Sequence, residues 1–127
     1  MTKAESLLRS LLLAKEKYKE ALSFEDTEPL RESLIQRFEY TVELCWKLMA
    51  AIIALEDVPV AGTRNVIRAA ARFRLIDNPE RWLEFADHRN RTSHLYLEAV
   101  ARMVADSIRV DFLDNVEKFL EQARVRI

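Results

Sequence analysis

Three side chains that could act together on a phosphate group lie within an eight-residue segment near position 90. Arg89 is followed by His94 and Tyr96, with mostly small polar residues between them. Histidine exchanges a proton near neutral pH, and arginine binds phosphate through a planar fork of N–H donors. Cleavage of RNA requires both roles, because the ribose 2′-hydroxyl loses a proton while negative charge develops on the phosphoryl oxygens. The segment is therefore a candidate site for RNA cleavage.

The backbone between Arg89 and His94 decides whether their side chains can meet. On a continuous helix of about 3.6 residues per turn, positions five apart point roughly 140° away from each other. Asn90, Thr92 and Ser93 compete with helical hydrogen bonding and favour caps and turns. The composition therefore predicts a junction between two helices at this point. The alternative is that His94 merely caps a helix.

Two carboxylates elsewhere in the chain are candidates for orienting this site. Glu39 and Glu43 lie four residues apart, so they share one face of a predicted helix. They could orient Arg89 or His94, or face a partner protein. Equally, they could be exposed carboxylates that pair with Lys47, and the sequence leaves both interpretations open.

The remaining notable side chains are expected to be structural. His88 is interpreted as a surface residue rather than a second catalytic base. Trp46 and Trp82 are interpreted as core or interface anchors rather than as platforms for stacked bases. Cys45 lies in an apolar seam and is expected to be a small buried hydrophobe.

Apolar residues recur at steps of three and four along the chain, which predicts amphipathic helices. Asp26 and Thr27 can cap the second helix, and Asn78 with Pro79 opens the fourth. The predicted helices cover about 3–22, 28–56, 63–73, 79–89 and 97–125. The apolar face of 34–55 is wide enough to predict neighbours on more than one side, and we expect it to support a dimer. The fold class is all-α, a four- to five-helix up-and-down bundle in one domain, 1–127.

Composition excludes several classes of protein. The single cysteine excludes an internal disulfide framework, and two histidines are too few for a structural zinc site, so no metal or cofactor is expected. The sequence contains no run of eighteen apolar residues, which a membrane span would need, and we expect a cytoplasmic protein. The net charge of −1 argues against a protein that binds nucleic acid non-specifically along its length. Residues 61–94, however, hold seven arginines and only four acidic residues.

Two blocks of sequence resemble a known family. The block Gln36–Lys47 (QRFEYTVELCWK) and the block Asp87–Tyr96 (DHRNRTSHLY) are similar to the nucleotidyltransferase substrate-binding proteins, a branch of the HEPN superfamily close to the HepT toxins. The resemblance extends over about residues 6–120, and it is specific in these two blocks. It implies a HEPN-like helical bundle.

The resemblance also implies roles for individual residues. His94 would transfer the proton and Arg89 would stabilise the phosphate, as in metal-independent HEPN ribonucleases. Asn90, Arg91 and Ser93 would bind or orient the substrate. HEPN proteins usually dimerise so that two such motifs face one cleft, which implies a homodimer here.

The same resemblance implies a protein partner. The family is paired with a minimal nucleotidyltransferase, which in some systems acts as an antitoxin by attaching AMP to the motif tyrosine, here Tyr96. The chain would then be an endoribonuclease toxin. The alternative is a non-catalytic subunit that presents a nucleotide or another substrate to the transferase.

Overall fold

The computed structural model describes residues 1–127 as five α-helices without strands. They are α1 (Lys3–Ala21), α2 (Glu28–Ala54), α3 (Thr63–Arg72), α4 (Pro79–Arg91) and α5 (Glu98–Arg126), with a 3₁₀ turn at Thr92–His94. The all-α prediction is confirmed, and the predicted helix bounds agree to within a few residues. No helix combines the length and apolar character needed to cross a membrane.

The helix ends follow local side-chain chemistry. The Thr2 hydroxyl accepts a hydrogen bond from the Glu5 N–H, and the Thr27 hydroxyl accepts one from the Leu30 N–H. These bonds satisfy N–H groups that the first turn of a helix leaves without partners. Arg74, just after α3, has a φ of 60°, the left-handed conformation that often ends a helix. The predicted cap at Thr27 is thus present.

Helix α2 lies at the centre of the bundle and contacts each of the other four helices. Its apolar residues are almost all buried by those neighbours: Leu34, Ile35, Phe38, Val42, Cys45, Leu48, Met49, Ile52 and Ile53. This face was expected to support a dimer, but other helices of the same chain cover it. The apolar face of α2 therefore no longer supports dimerisation, although the expectation of several neighbours is confirmed.

Aromatic rings hold α4 and α5 against the centre. The Phe112 ring of α5 packs edge-on against Phe38 at 4.8 Å, Phe85 at 5.0 Å and Tyr18 at 5.0 Å between ring centroids. Trp82 is buried and packs against Phe85, as the core interpretation predicted. Because α4 is anchored in this way, its C-terminal end and the following turn are held in a defined place.

Candidate functional site

The predicted break between Arg89 and His94 is present. Helix α4 ends at Arg91, the 3₁₀ turn covers Thr92–His94, and α5 begins only at Glu98. The Thr92 hydroxyl donates to the Arg89 carbonyl at 2.7 Å, and the Ser93 hydroxyl donates to the Asn90 carbonyl at 3.3 Å. These bonds satisfy carbonyls at the end of α4, which is the chemistry that ends a helix.

The Arg89 guanidinium is held by α2 and by the turn. Its Nε and Nη2 donate to Glu43 Oε1 at 3.0 and 2.5 Å, and Nη1 donates to the Thr92 hydroxyl at 2.9 Å. Glu39 lies 3.7 Å from Nη1. The two carboxylates therefore contact Arg89, and neither forms an ion pair with Lys47, which was the alternative. Thr92 is an additional orienting residue that the sequence did not single out for this contact.

These contacts decide how Arg89 could receive a phosphate. Charge-assisted bonds fix the orientation of the guanidinium, which still has N–H groups free on Nη1 and Nη2. The formal charges of Arg89, Glu39 and Glu43 nevertheless sum to one negative charge. Arg89 alone would therefore not attract a polyanion from solution. Attraction has to come from neighbouring basic residues.

His94 and Tyr96 lie on the exposed side of the junction. Their rings meet edge-on with centroids 6.0 Å apart, and 79% of Tyr96 is exposed. Neither His94 ring nitrogen has a hydrogen-bond partner within the chain, so both face solvent or a ligand. No hydrogen bond joins His94 to Arg89. The end of α4 and the 3₁₀ turn thus separate the two residues along the chain.

His88 belongs to a second polar cluster that the sequence did not reveal. The interpretation of His88 as a surface residue is wrong, because only 6% of it is exposed. Its Nε2 is 2.8 Å from the Ser107 hydroxyl of α5, and its Nδ1 is 3.3 Å from Nη1 of Arg91. Arg81 donates to the Ser107 carbonyl at 2.6 Å and to Asp111 at 2.8 Å. This cluster attaches the end of α4 to α5.

The seven-residue spacing of Arg81 and His88 was the one signal for this cluster, since two turns of a helix return to the same face. Nothing in the sequence near Ser107 indicates its contact with α4. One guanidinium nitrogen of Arg91 is directed to His88, while Asn90 and Arg91 are both exposed residues. Of the predicted binding residues, Glu39 and Glu43 therefore meet Arg89, whereas Arg91 belongs to the His88 cluster.

Acidification should destabilise the fold through His88. Burial, followed by the charges of Arg91 and Arg81, lowers the pKa of His88 below the ordinary value of 6.5. As the pH falls below that value the unfolded chain binds a proton that the folded chain excludes, so the free energy of unfolding decreases. We expect the urea midpoint to fall less between about pH 7.5 and pH 5.5 in His88→Gln than in the wild type. Equal decreases would contradict this assignment.

The main cavities of the protein lie away from the junction. A cavity of about 610 Å³ lies near Arg74, Pro79 and Lys118, at the opposite end of α4. No group of three histidine, cysteine, aspartate or glutamate side chains is arranged to hold a metal ion. The junction thus combines an exposed imidazole, that of His94, with a guanidinium held in a fixed orientation, that of Arg89.

Comparisons with known proteins agree on one family. A family model described as "Nucleotidyltransferase substrate binding protein like" matches residues 2–125. A Haemophilus influenzae protein named "Probable ribonuclease HepT" is 37% identical over 97 residues, which cover 72% of this chain. The match spans 66% of that relative's length, slightly less than two thirds.

Two solved structures share the fold. A protein from Thermus thermophilus is 32% identical, with a TM-score of 0.77 over 95% of this chain and 98% of that protein. A Haemophilus influenzae protein is 29% identical, with a TM-score of 0.80 over 92% of this chain and 98% of its own. The second is described as having the fold of a substrate-binding domain of a nucleotidyltransferase.

Proposed function

Because this chain belongs to the family of nucleotidyltransferase substrate-binding-like proteins, we propose that it is a HepT-like endoribonuclease. The observation that carries the proposal is the helix break, which leaves His94 without a hydrogen-bond partner in the turn that follows a fixed Arg89. His94 would accept the 2′-hydroxyl proton, and Arg89 would bind a phosphoryl oxygen through its free N–H groups. The relative named as a probable ribonuclease supports the same chemistry.

A minimal nucleotidyltransferase is the proposed partner, and it would neutralise the ribonuclease as an antitoxin. The family description and the structure described as having the fold of a substrate-binding domain of a nucleotidyltransferase support this pairing. The exposed phenol of Tyr96 would be the site where the partner attaches AMP. We place the pair in the cytoplasm, where the free thiol of Cys45 stays reduced.

One observation favours a second function, that of a non-catalytic subunit. The net negative charge of Arg89 with Glu39 and Glu43 weakens the attraction of Arg89 for phosphate. Such a subunit would present a nucleotide or another substrate to the transferase at the same junction. Incubation of the purified chain with labelled RNA in the presence of a chelator separates the two functions. Cleavage supports the ribonuclease, whereas binding of the transferase without cleavage supports the subunit.

Dimerisation is proposed on a different surface from the one first expected. An exposed stripe on α5 contains Met103 and Val110, with the partly buried Val100 beside them, and it begins four residues after Tyr96. Steps of three and seven residues separate these side chains along the helix, so they lie on one face. A second copy packed on this stripe would bring two junctions together, as the resemblance implies.

Light scattering should therefore report twice the mass of the 14.9 kDa chain. Met103→Glu with Val110→Glu is expected to give a monomer, because buried unpaired carboxylates disfavour association. Leu13→Glu with Val125→Glu is the matched control, since both of these residues are also exposed, at 73% and 75%. A monomeric wild type, or a dimer that survives the α5 substitutions, would contradict this interface.

A further inference from the structure

Helix α3 carries a surface that the proposed site does not use. Arg64, Arg68 and Arg72 lie at four-residue steps along it, and Arg74 follows at its end; we call these four residues the arginine row. All four are exposed, and no acidic residue occurs between Asp57 and Asp77. Steps of four residues advance about 6 Å along a helix, so the charges repeat at a regular interval.

Packing holds the arginine row on a rigid support. The opposite face of α3 buries Val66, Ile67, Ala69 and Ala70 in the core. The arginines are therefore directed away from the bundle. A groove of about 240 Å³ lies between the Pro59–Ala61 segment and Arg68 with Arg72.

The arginine row is poorly neutralised by the rest of the protein. Arg64 pairs with Asp87 of α4 at 3.1 Å, whereas Arg68, Arg72 and Arg74 form no ion pair. Some basic residues elsewhere on the surface, such as Arg102, pair with a neighbouring carboxylate, whereas Arg9 and Lys19 do not. A solvated helix face usually mixes both signs of charge, and this face does not.

One end of the arginine row lies near the proposed site at the junction. Asp87, the partner of Arg64, lies two residues before Arg89, so the first arginine of the row is next to the motif end of α4. The junction itself carries little net positive charge, because Glu39 and Glu43 offset the charges of Arg89 and Arg91. A nearby unneutralised basic surface would supply that attraction.

We propose that the arginine row binds the phosphate backbone of RNA and directs the strand across the junction. This inference rests on the proposed ribonuclease function. Guanidinium groups at regular intervals suit a polymer with one charge per repeating unit, and arginine binds phosphate through its fork. An acidic protein is a poorer fit, because Thr63–Arg72 exposes no large hydrophobic residue that could form the core of an interface.

The test compares three proteins for binding and cleavage of a fluorescent single-stranded oligoribonucleotide. They are the wild type, Arg68→Gln with Arg72→Gln, and the control Arg9→Gln with Lys19→Gln. The control removes the same charge from exposed α1 residues that also form no ion pair. Fluorescence anisotropy over a range of salt concentrations gives the dissociation constant and its salt slope. Circular dichroism verifies that each variant is folded.

We expect the α3 variant to bind roughly tenfold more weakly at low salt, with a salt slope smaller by about 1.4, because two phosphate contacts to a single strand are lost. The control should match the wild type. If the α3 variant matches the control while the wild type cleaves RNA, the row is not a binding surface but the proposed function stands. If the α3 variant binds RNA more weakly than the control but none of the three proteins cleaves it, the arginine row is supported as an RNA-binding surface and the ribonuclease function is rejected. If the wild type binds no RNA, the arginine row is rejected as an RNA-binding surface.

Discussion

Replacing His94 with alanine is expected to lower the rate of RNA cleavage by about two to four orders of magnitude, the usual cost of losing one positioned acid-base group. The ring nitrogens of His94 have no partner within the chain, so the substitution breaks no hydrogen bond of the fold. The effect should appear in the catalytic rate constant while the affinity for RNA is retained. Cleavage of a labelled oligoribonucleotide under single-turnover conditions measures it.

Arg89 needs a more conservative substitution. Alanine would leave Glu39 and Glu43 close together without their cation, and the resulting repulsion would confuse loss of catalysis with loss of structure. Arg89→Lys keeps the positive charge but removes the fork that could bind both Glu43 and a phosphoryl oxygen. Arg102→Lys is the matched control, since Arg102 pairs with Glu98 on an exposed surface. Undiminished cleavage in His94→Ala or in Arg89→Lys would overturn the catalytic assignment.

The helices could be predicted from sequence because their signals are local. The cap at Thr27 and the break after Arg91 depend on residues within one turn of the helix ends, where side chains bond to nearby backbone groups. The break was predicted from the polar residues between Arg89 and His94. These are short-range effects, so neither required knowledge of the tertiary structure.

The contacts of the site could not be predicted by the same means. Glu43 and Arg89 are 46 positions apart, and their hydrogen bond depends on how α2 packs against α4. The resemblance to the family nevertheless singled out the blocks 36–47 and 87–96, and these are the two segments that meet in the fold. The pairing of Glu43 with Arg89, rather than with Lys47, required the structure, because spacing within one helix permits either.

Two misassignments had one cause, the absence of tertiary information. His88 was expected to be a surface residue rather than a second catalytic base, but Ser107 and Arg91 satisfy its ring nitrogens and allow burial. The apolar face of α2 was expected to support a dimer, but four helices of the same chain cover it. A pattern along one helix shows that a face is buried, and does not show what covers it.

Tyr96 is expected to carry the whole of the AMP that the partner nucleotidyltransferase attaches. In this reaction the phenol would lose its proton to a base of the transferase or to solvent, and its oxygen would bond to the α-phosphorus of ATP as pyrophosphate leaves, with magnesium held by the transferase. Tyr96 is 79% exposed beside His94, whereas Tyr18 is fully buried and Tyr40 is 38% exposed. Accessibility therefore favours Tyr96 among the three tyrosines.

Modification should abolish cleavage, because AMP on Tyr96 would occupy the space in front of His94 and its phosphate could pair with Arg91. Mass spectrometry of the chain, after incubation with the transferase, ATP and magnesium, should locate AMP on the peptide with Tyr96. Tyr96→Phe should remain unmodified and active in the presence of the transferase, while the control Tyr40→Phe should be modified and inhibited like the wild type. AMP at full level in Tyr96→Phe, or none on the wild type, would show that control does not operate through Tyr96.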